Sequence, residues 1–210
     1  MARKLFTAMV GALAVLALAA PSFAQAKKAP PGKKAAGTYA RFDTSMGTFT
    51  VKLMPEKAPK TVANFVGLAE GAIDTITGGP GRSKPYYDGV TFHRVMPGFM
   101  IQGGDPRGDG SGGVGYHIPD EFDPKFSFNK AGIMAMANTG RPNSAGSQFF
   151  ITVAPYPSLN GKYTPFGQVV EGLDVVIAIS KVKTTGSAGQ PADRPLQPVV
   201  MKKVTIERVQ

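Results

Sequence analysis

Residues 92–105 read F-H-R-V-M-P-G-F-M-I-Q-G-G-D. The stretch holds one permanent cation, Arg94, and one amide, Gln102, among Phe92, Val95, Met96, Phe99, Met100 and Ile101. Pro97-Gly98 divides it into two short strand-like pieces, 92–95 and 100–102. Gly103-Gly104-Asp105-Pro106 closes it with turn chemistry. A guanidinium cannot shed its charge and is costly to hide among apolar groups. Arg94 therefore either reaches out to water or is aimed at something, and the rest of the chain decides which.

Strand signals continue on both sides. Residues 39–45 and 47–54 flank a Met46-Gly47 turn; in the second run Phe49, Val51 and Leu53 alternate with Thr48, Thr50 and Lys52. That period of two marks a half-buried strand. Runs at 131–137, 147–153, 165–170 and 199–209 read as further strands, and in the second of these Gln148, Phe150 and Thr152 share a face. Two helices are expected. The first covers 59–70, with Pro59 in its opening turn, a stripe of Val62, Phe65, Val66 and Ala69, and Gly71 as its stop. The second covers 171–181, with Leu173, Val176 and Ile177 inward. Residues 72–88, 120–130 and 182–198 are loops. Strands dominate and no β-α-β alternation occurs, so the residues predict an all-β barrel or sandwich with helical caps.

Residues 1–24 are not part of that fold. A basic start (Arg3, Lys4) precedes a 16-residue apolar run at 5–20 and small residues in an A-x-A-like pattern. This is a secretory signal peptide, shorter than the roughly 20 residues of a spanning helix. Cleavage is expected after Ala24, with Ala26 the second choice; an uncleaved inner-membrane anchor is the alternative. Residues 25–38, built from Lys, Pro, Gly and Ala, read as a flexible basic tether, and the folded domain is expected over 39–210. The protein is thus expected in the periplasm, or secreted, or held at the membrane by an uncleaved signal. Signal and tether carry six Lys/Arg and no acid, so the chain's +10 falls to +4 over 39–210. No nucleic-acid partner is expected, and no stable membrane insertion after cleavage. The chain has no cysteine, which excludes disulfides, thiolate nucleophiles and thiolate metal sites.

Little bond-making chemistry is available. The two histidines, His93 and His117, are too few for a catalytic zinc site, and neither forms a recognisable arrangement with Ser111 or Ser147. His93 faces away from Arg94 in strand alternation and reads as structural. Asp105, Asp109, Asp120, Glu121 and Asp123 lie in turns and hydrated loops, with none in an apolar setting that would raise a pKa. Residues 110–115 spell G-S-G-G-V-G, but Pro119 follows where a dinucleotide-binding helix would have to open. What remains is one cation, two amides and apolar or aromatic walls. Such a set suits a reaction that twists a bond rather than making one, as in isomerisation of an X-Pro peptide bond.

The stretch at 92–105 resembles the signature of the cyclophilin-type peptidyl-prolyl cis-trans isomerases. Residues 136–151, M-A-N-T-G-R-P-N-S-A-G-S-Q-F-F-I, resemble their second block, and 159–167, L-N-G-K-Y-T-P-F-G, their third. Similarity in order and spacing runs over about 40–209. It implies a mainly β fold: a closed eight-stranded antiparallel β-barrel capped by two α-helices. It implies a monomer that needs no cofactor or metal and acts on proline-containing, unfolded or partly folded polypeptides. It also implies roles. Arg94 would be the catalytic guanidinium, with Gln102 holding the substrate backbone or orienting Arg94. Phe99, Met100, Phe150 and Leu159 would wall a proline pocket, and Tyr163 would pack an aromatic face on the proline. Ala137 and Asn138 would meet the residue before proline through their backbone, and Gln148 would line the adjoining cleft. Met100 and Gln102 share a face by periodicity, as do Gln148 and Phe150; Phe99 falls on the other face, so its role rests on the resemblance alone. Three positions depart from the family pattern. Ser158 stands where many eukaryotic members have tryptophan, Tyr163 where many have histidine, and Arg141 is inserted before Pro142-Asn143.

Overall fold

The structure is a computed structural model that describes residues 34–81 and 83–210; the expected signal peptide and most of the tether lie outside the described residues. β1 (Gly37–Thr44) and β2 (Gly47–Leu53) form the antiparallel pair that the alternation predicts, and β1 starts two residues before position 39. Then follow α1 (Pro59–Glu70), β3 (Arg94–Met96), β4 (Met100–Gly103), β5 (Ile133–Met136) and β6 (Phe149–Thr152). A 3-10 turn at Pro157–Leu159 leads to β7 (Pro165–Glu171), α2 (Leu173–Ser180) and β8 (Met201–Val209).

The strands form one antiparallel sheet in the order β3-β4-β6-β5-β7-β2-β1-β8. The expectation of a closed barrel is not met, because the sheet is an open half-barrel with β3 and β8 as its ends. An isolated bridge between Thr91 and Val200, with backbone bonds such as Phe92 N–H to Val199 C=O at 2.9 Å, is what crosses the seam. The reason is local: β3 has only three residues, and the chain before β8 carries Pro195 and Pro198, which have no N–H for a ladder.

Register assigns each face of the sheet. Val95 pairs with Ile101, Ile101 with Ile151, and Ile151 with Met134, so these four form one row across β3, β4, β6 and β5. All four belong to the main core beneath the sheet. An aromatic cluster fills that core: Phe42 stacks on Phe49 at 4.6 Å, Phe65 on Tyr87 at 4.9 Å, and Phe149 meets Phe65 edge-on at 5.8 Å. Each such ring contributes about 1.5–3 kcal/mol by leaving water.

The helices close the core. Val62, Phe65, Leu68 and Ala69 of α1 are buried and Val66 is half-buried. Ala58 offers the helix no side-chain cap, and Glu121 supplies one from a distant loop. Its carboxylate accepts the N–H groups of Lys60 (3.1 Å) and Thr61 (2.8 Å) and the Thr61 hydroxyl (2.8 Å). A carboxylate there satisfies orphan donors and suits the positive end of the helix dipole. Gly71 ends the helix at φ 70°, and a Cβ there would collide with the Ser83 carbonyl. In α2 the fully buried apolar side chains are Val176 and Ile179; Leu173 and Ile177 are half-buried.

Candidate active site

On the outer face of the same four strands Arg94 pairs with Gln102, Gln102 with Phe150, and Phe150 with Ala135. Directly opposed antiparallel residues share a face, with Cβ atoms about 4.5–5.5 Å apart. The cation, the amide and the aromatic wall therefore form one row, fixed by register rather than by loops.

A second, smaller apolar cluster surrounds the row. Met100, Phe128, Ile133, Ala135 and Phe150 are buried in it, and Phe99, Tyr156, Leu159 and Tyr163 pack partly exposed against them. Phe150 stacks parallel to Phe128 at 6.0 Å and takes Tyr163 edge-on at 5.2 Å. Phe99 joins the same cluster as Met100 although period-two counting sets it on the other face. It precedes β4, in the turn after Met96, where strand alternation does not apply. Tyr156 holds it at 4.6 Å between rings and donates its hydroxyl to the Gly98 carbonyl at 3.1 Å. Leu159 is brought in by the 3-10 turn, which starts with Pro157.

The amides are locked in one orientation. Gln148 Nε2 donates to the carbonyls of Gly110 (3.0 Å) and Gly112 (2.7 Å), which can only accept. Its Oε1 must then accept, and it does so from Gln102 Nε2 at 2.9 Å. The Gln102 Oε1 is left without a partner among the described residues, on the residue that Arg94 opposes in the ladder. The loop that orients Gln148 is itself held by Asp105, whose carboxylate accepts the N–H groups of Arg107 (2.7 Å), Asp109 (3.2 Å) and Gly110 (2.6 Å). Asp105 is fully buried, contrary to the expectation of a hydrated loop acid. Gly104, at φ 87°, lets the chain pass against Ser147, whose hydroxyl donates to the Gly104 carbonyl at 2.9 Å. The glycine-rich run at 110–115 opens no helix.

A cleft of about 420 Å³ lies beside the row, lined by Gln102, Gly110, Tyr116, Asn138, Thr139 and Gln148 among others. The Asn138 side chain is engaged: Nδ2 donates to the Lys162 carbonyl at 2.8 Å, and Oδ1 accepts from Gly140 N–H at 3.0 Å. The Ala137 N–H donates to the Gln148 carbonyl at 2.9 Å. The Ala137 carbonyl and both backbone groups of Asn138 have no partner among the described residues. Arg141 sits exposed on the cleft's loop, which Asn143 ties to Asp120 by bonds of 2.9 and 2.8 Å.

Arg94 is only half-buried. Nη2 meets the Met96 thioether at 3.4 Å, and Nε lies 3.5 Å from Asp193 Oδ2. Asp193 falls in the loop 182–198, where the sequence offered no pattern to single it out. Likewise Tyr156 and Phe128 carry walls that sequence reasoning did not assign. His93 is buried just before β3 with its ring next to Gly110, and both ring nitrogens lack partners among the described residues. Burial holds its pKa below the ordinary 6.5, with Arg94 and Arg194 adding to the lowering while Asp105 and Asp109 oppose it. His117 is exposed on the cleft's edge. No group of three or more His, Asp or Glu among the described residues could hold a metal ion.

An antiparallel eight-stranded half-barrel with two helices is the fold of cyclophilin-like solved structures. A cyclophilin-type enzyme from Cryptosporidium parvum superposes with a TM-score of 0.70 at 30% identity, covering 82% of this chain and 99% of that one. A second structure of it, with 81% and 99% coverage, was determined in the presence of the dipeptide Ala-Pro. Residues 39–206 match the family model described as cyclophilin type peptidyl-prolyl cis-trans isomerase/CLD. Peptidyl-prolyl cis-trans isomerase A of Mycobacterium tuberculosis is 52% identical over 173 residues, 80% of this chain and 91% of that protein. Peptidyl-prolyl cis-trans isomerase B of Streptomyces anulatus is 46% identical over 173 residues, 80% and 96%. The chain belongs to the cyclophilin-type peptidyl-prolyl cis-trans isomerases, enzymes that act on proline-containing polypeptides.

Proposed function

We propose that this isomerase acts on X-Pro bonds of exported polypeptides, as a monomer outside the cytoplasm, with Arg94 as its catalytic guanidinium. The export reading is supported by residues 1–24 alone, and no helix among the described residues is long and apolar enough to cross a membrane.

The row Arg94–Gln102–Phe150–Ala135 carries the mechanistic reading. An X-Pro bond crosses a barrier of about 18–20 kcal/mol because twisting removes amide conjugation. Unaided, it takes roughly 10–100 s. In the twisted state the prolyl nitrogen regains its lone pair and accepts a hydrogen bond that it cannot accept when planar. A guanidinium beside it favours the twisted state over either planar one, which is what lowers a barrier. Phe99, Met100, Phe150, Leu159 and Tyr163 hold the prolyl ring and keep water off it. Gln102 Oε1 accepts from the substrate backbone or from Arg94. The free carbonyl of Ala137 and the free backbone groups of Asn138 take the residue before proline, and the Gln148 cleft takes the chain further upstream.

Isomerisation of a short X-Pro peptide by the chain and by Arg94→Ala tests this. A charge-assisted hydrogen bond is worth about 1.5–3 kcal/mol, so the variant is expected to lose at least roughly tenfold in rate while staying folded. Equal rates would sink the assignment. The Ala-Pro dipeptide serves as competitor, and its protection of the Phe150 and Tyr163 resonances would locate the pocket.

A further inference from the structure

We infer that Asp193 is the positioning residue for Arg94, a role that rests on reading Arg94 as the catalytic guanidinium. Asp193 is 8% exposed, and its Oδ2 lies 3.5 Å from Arg94 Nε. No hydrogen bond or other ion pair reaches this carboxylate among the described residues, so Arg94 is its one cationic partner there. A buried carboxylate is costly unless paired, which makes the pair an aimed one rather than a chance surface contact.

The backbone does the aiming. The Asp193 carbonyl accepts the N–H of Val95, the residue after Arg94, at 3.0 Å. Its own N–H donates to the Gly186 carbonyl at 3.0 Å, and Thr185 N–H to the Arg194 carbonyl at 2.9 Å closes the loop behind it. Its φ of 54° is a conformation that few residues other than Asn, Asp and Gly adopt readily. The loop 182–198 is thus stapled to β3, and its left-handed residue turns a carboxylate onto the Nε edge of Arg94. Arginine carries five N–H donors in a planar fork. Holding Nε fixes the plane and leaves Nη2 with only the Met96 thioether at 3.4 Å, a weak acceptor that a prolyl nitrogen can displace. Without the anchor, a half-exposed arginine samples many rotamers, few of which point along the row.

Asp193→Asn is the decisive variant, because Asn tolerates the left-handed backbone and removes only the charge. The expected result is a fall in kcat of about five- to tenfold with KM for an X-Pro peptide within about twofold, since the defect is in orientation and not in the pocket. In an Arg94→Ala background the same substitution should change kcat by less than about twofold, because nothing is left to position. An equal fall in both backgrounds, or no fall with Arg94 present, overturns the inference. A wild-type rate in Arg94→Ala alone instead removes the catalytic reading, and the inference with it. If Asp193→Asn melts too low to assay, the Arg94 Nε–H resonance of the unaltered chain decides. Exchange with water slower than that of the exposed Arg141 upholds the anchor, and exchange at the same rate overturns it.

Discussion

One sheet, two faces, and adjacent residues put to opposite uses: across β3, β4, β6 and β5 the inner row is Val95, Ile101, Ile151 and Met134, and none is more than 1% exposed. The outer row is Arg94, Gln102, Phe150 and Ala135, and the Arg94 side chain is 42% exposed. The inner row stabilises the fold by removing apolar surface from water. The outer row keeps a charge because one side of it meets solvent. Since successive strand residues point to opposite faces, a step of one residue exchanges a stabilising side chain for a functional one. The aromatic clusters repeat the contrast. Phe149 lies in the sealed core and Phe150 beside the half-open pocket, neighbours in sequence with different work.

The contrast can be broken first at Phe149. It contacts the rings of Phe42, Phe65, Tyr87 and Phe92, so Phe149→Ala is expected to cost about 3–5 kcal/mol in urea unfolding. A cost below about 1 kcal/mol would show that the inner face is not what holds the sheet. On the outer face Leu159→Ala should leave stability within about 1 kcal/mol but cut kcat/KM roughly tenfold, mainly through KM, because a pocket wall is lost. Steady-state isomerisation kinetics beside a thermal melt would expose a purely structural effect. Away from both rows, Glu121→Gln should remove about 1 kcal/mol of capping, a drop of roughly 2–4 °C in Tm, with the rate unchanged.

The smallest effect concerns His93. Burial keeps its folded-state pKa below the ordinary 6.5, so the unfolded chain takes up this proton more readily. The stability tied to the neutral ring is fully present above the unfolded value and declines as pH falls through it toward the folded value. The urea midpoint should therefore be lower at about pH 5.5 than at about pH 7.5, and His93→Phe should shrink that difference. If the difference persists undiminished in His93→Phe, another group is responsible.

Much of this arrangement is legible in the sequence. Alternation in 47–53, the stripe on α1 and the Gly71 stop follow from local rules that the structure keeps. The Arg94 hairpin is legible because a cation in an apolar run is a conflict that asks for a purpose. What is not legible comes from long-range contacts. Nothing near Glu121 marks it as the cap of a helix some 60 positions away. Asp105 looks like a turn acid and is a buried anchor. Asp193 carries no pattern, because its role depends on a left-handed backbone and on the strand it meets. Closure failed for a local reason that alternation does not register: β3 is only three residues long, and Pro195 and Pro198 precede β8.

The central claim is that one step along β3 separates chemistry from stability, and Arg94→Ala against Val95→Ala measures it most directly. With Arg94→Ala, isomerisation of an X-Pro peptide should fall at least roughly tenfold, and with Asp193→Asn added, so that no buried carboxylate is left unpaired, Tm should stay within about 2 °C of the unaltered chain. With Val95→Ala, unfolding should cost about 2 kcal/mol while the rate, measured well below Tm, stays within about threefold. If both variants lose rate and stability together, or if Arg94→Ala keeps the full rate, the division of the sheet into a core face and a catalytic face is wrong.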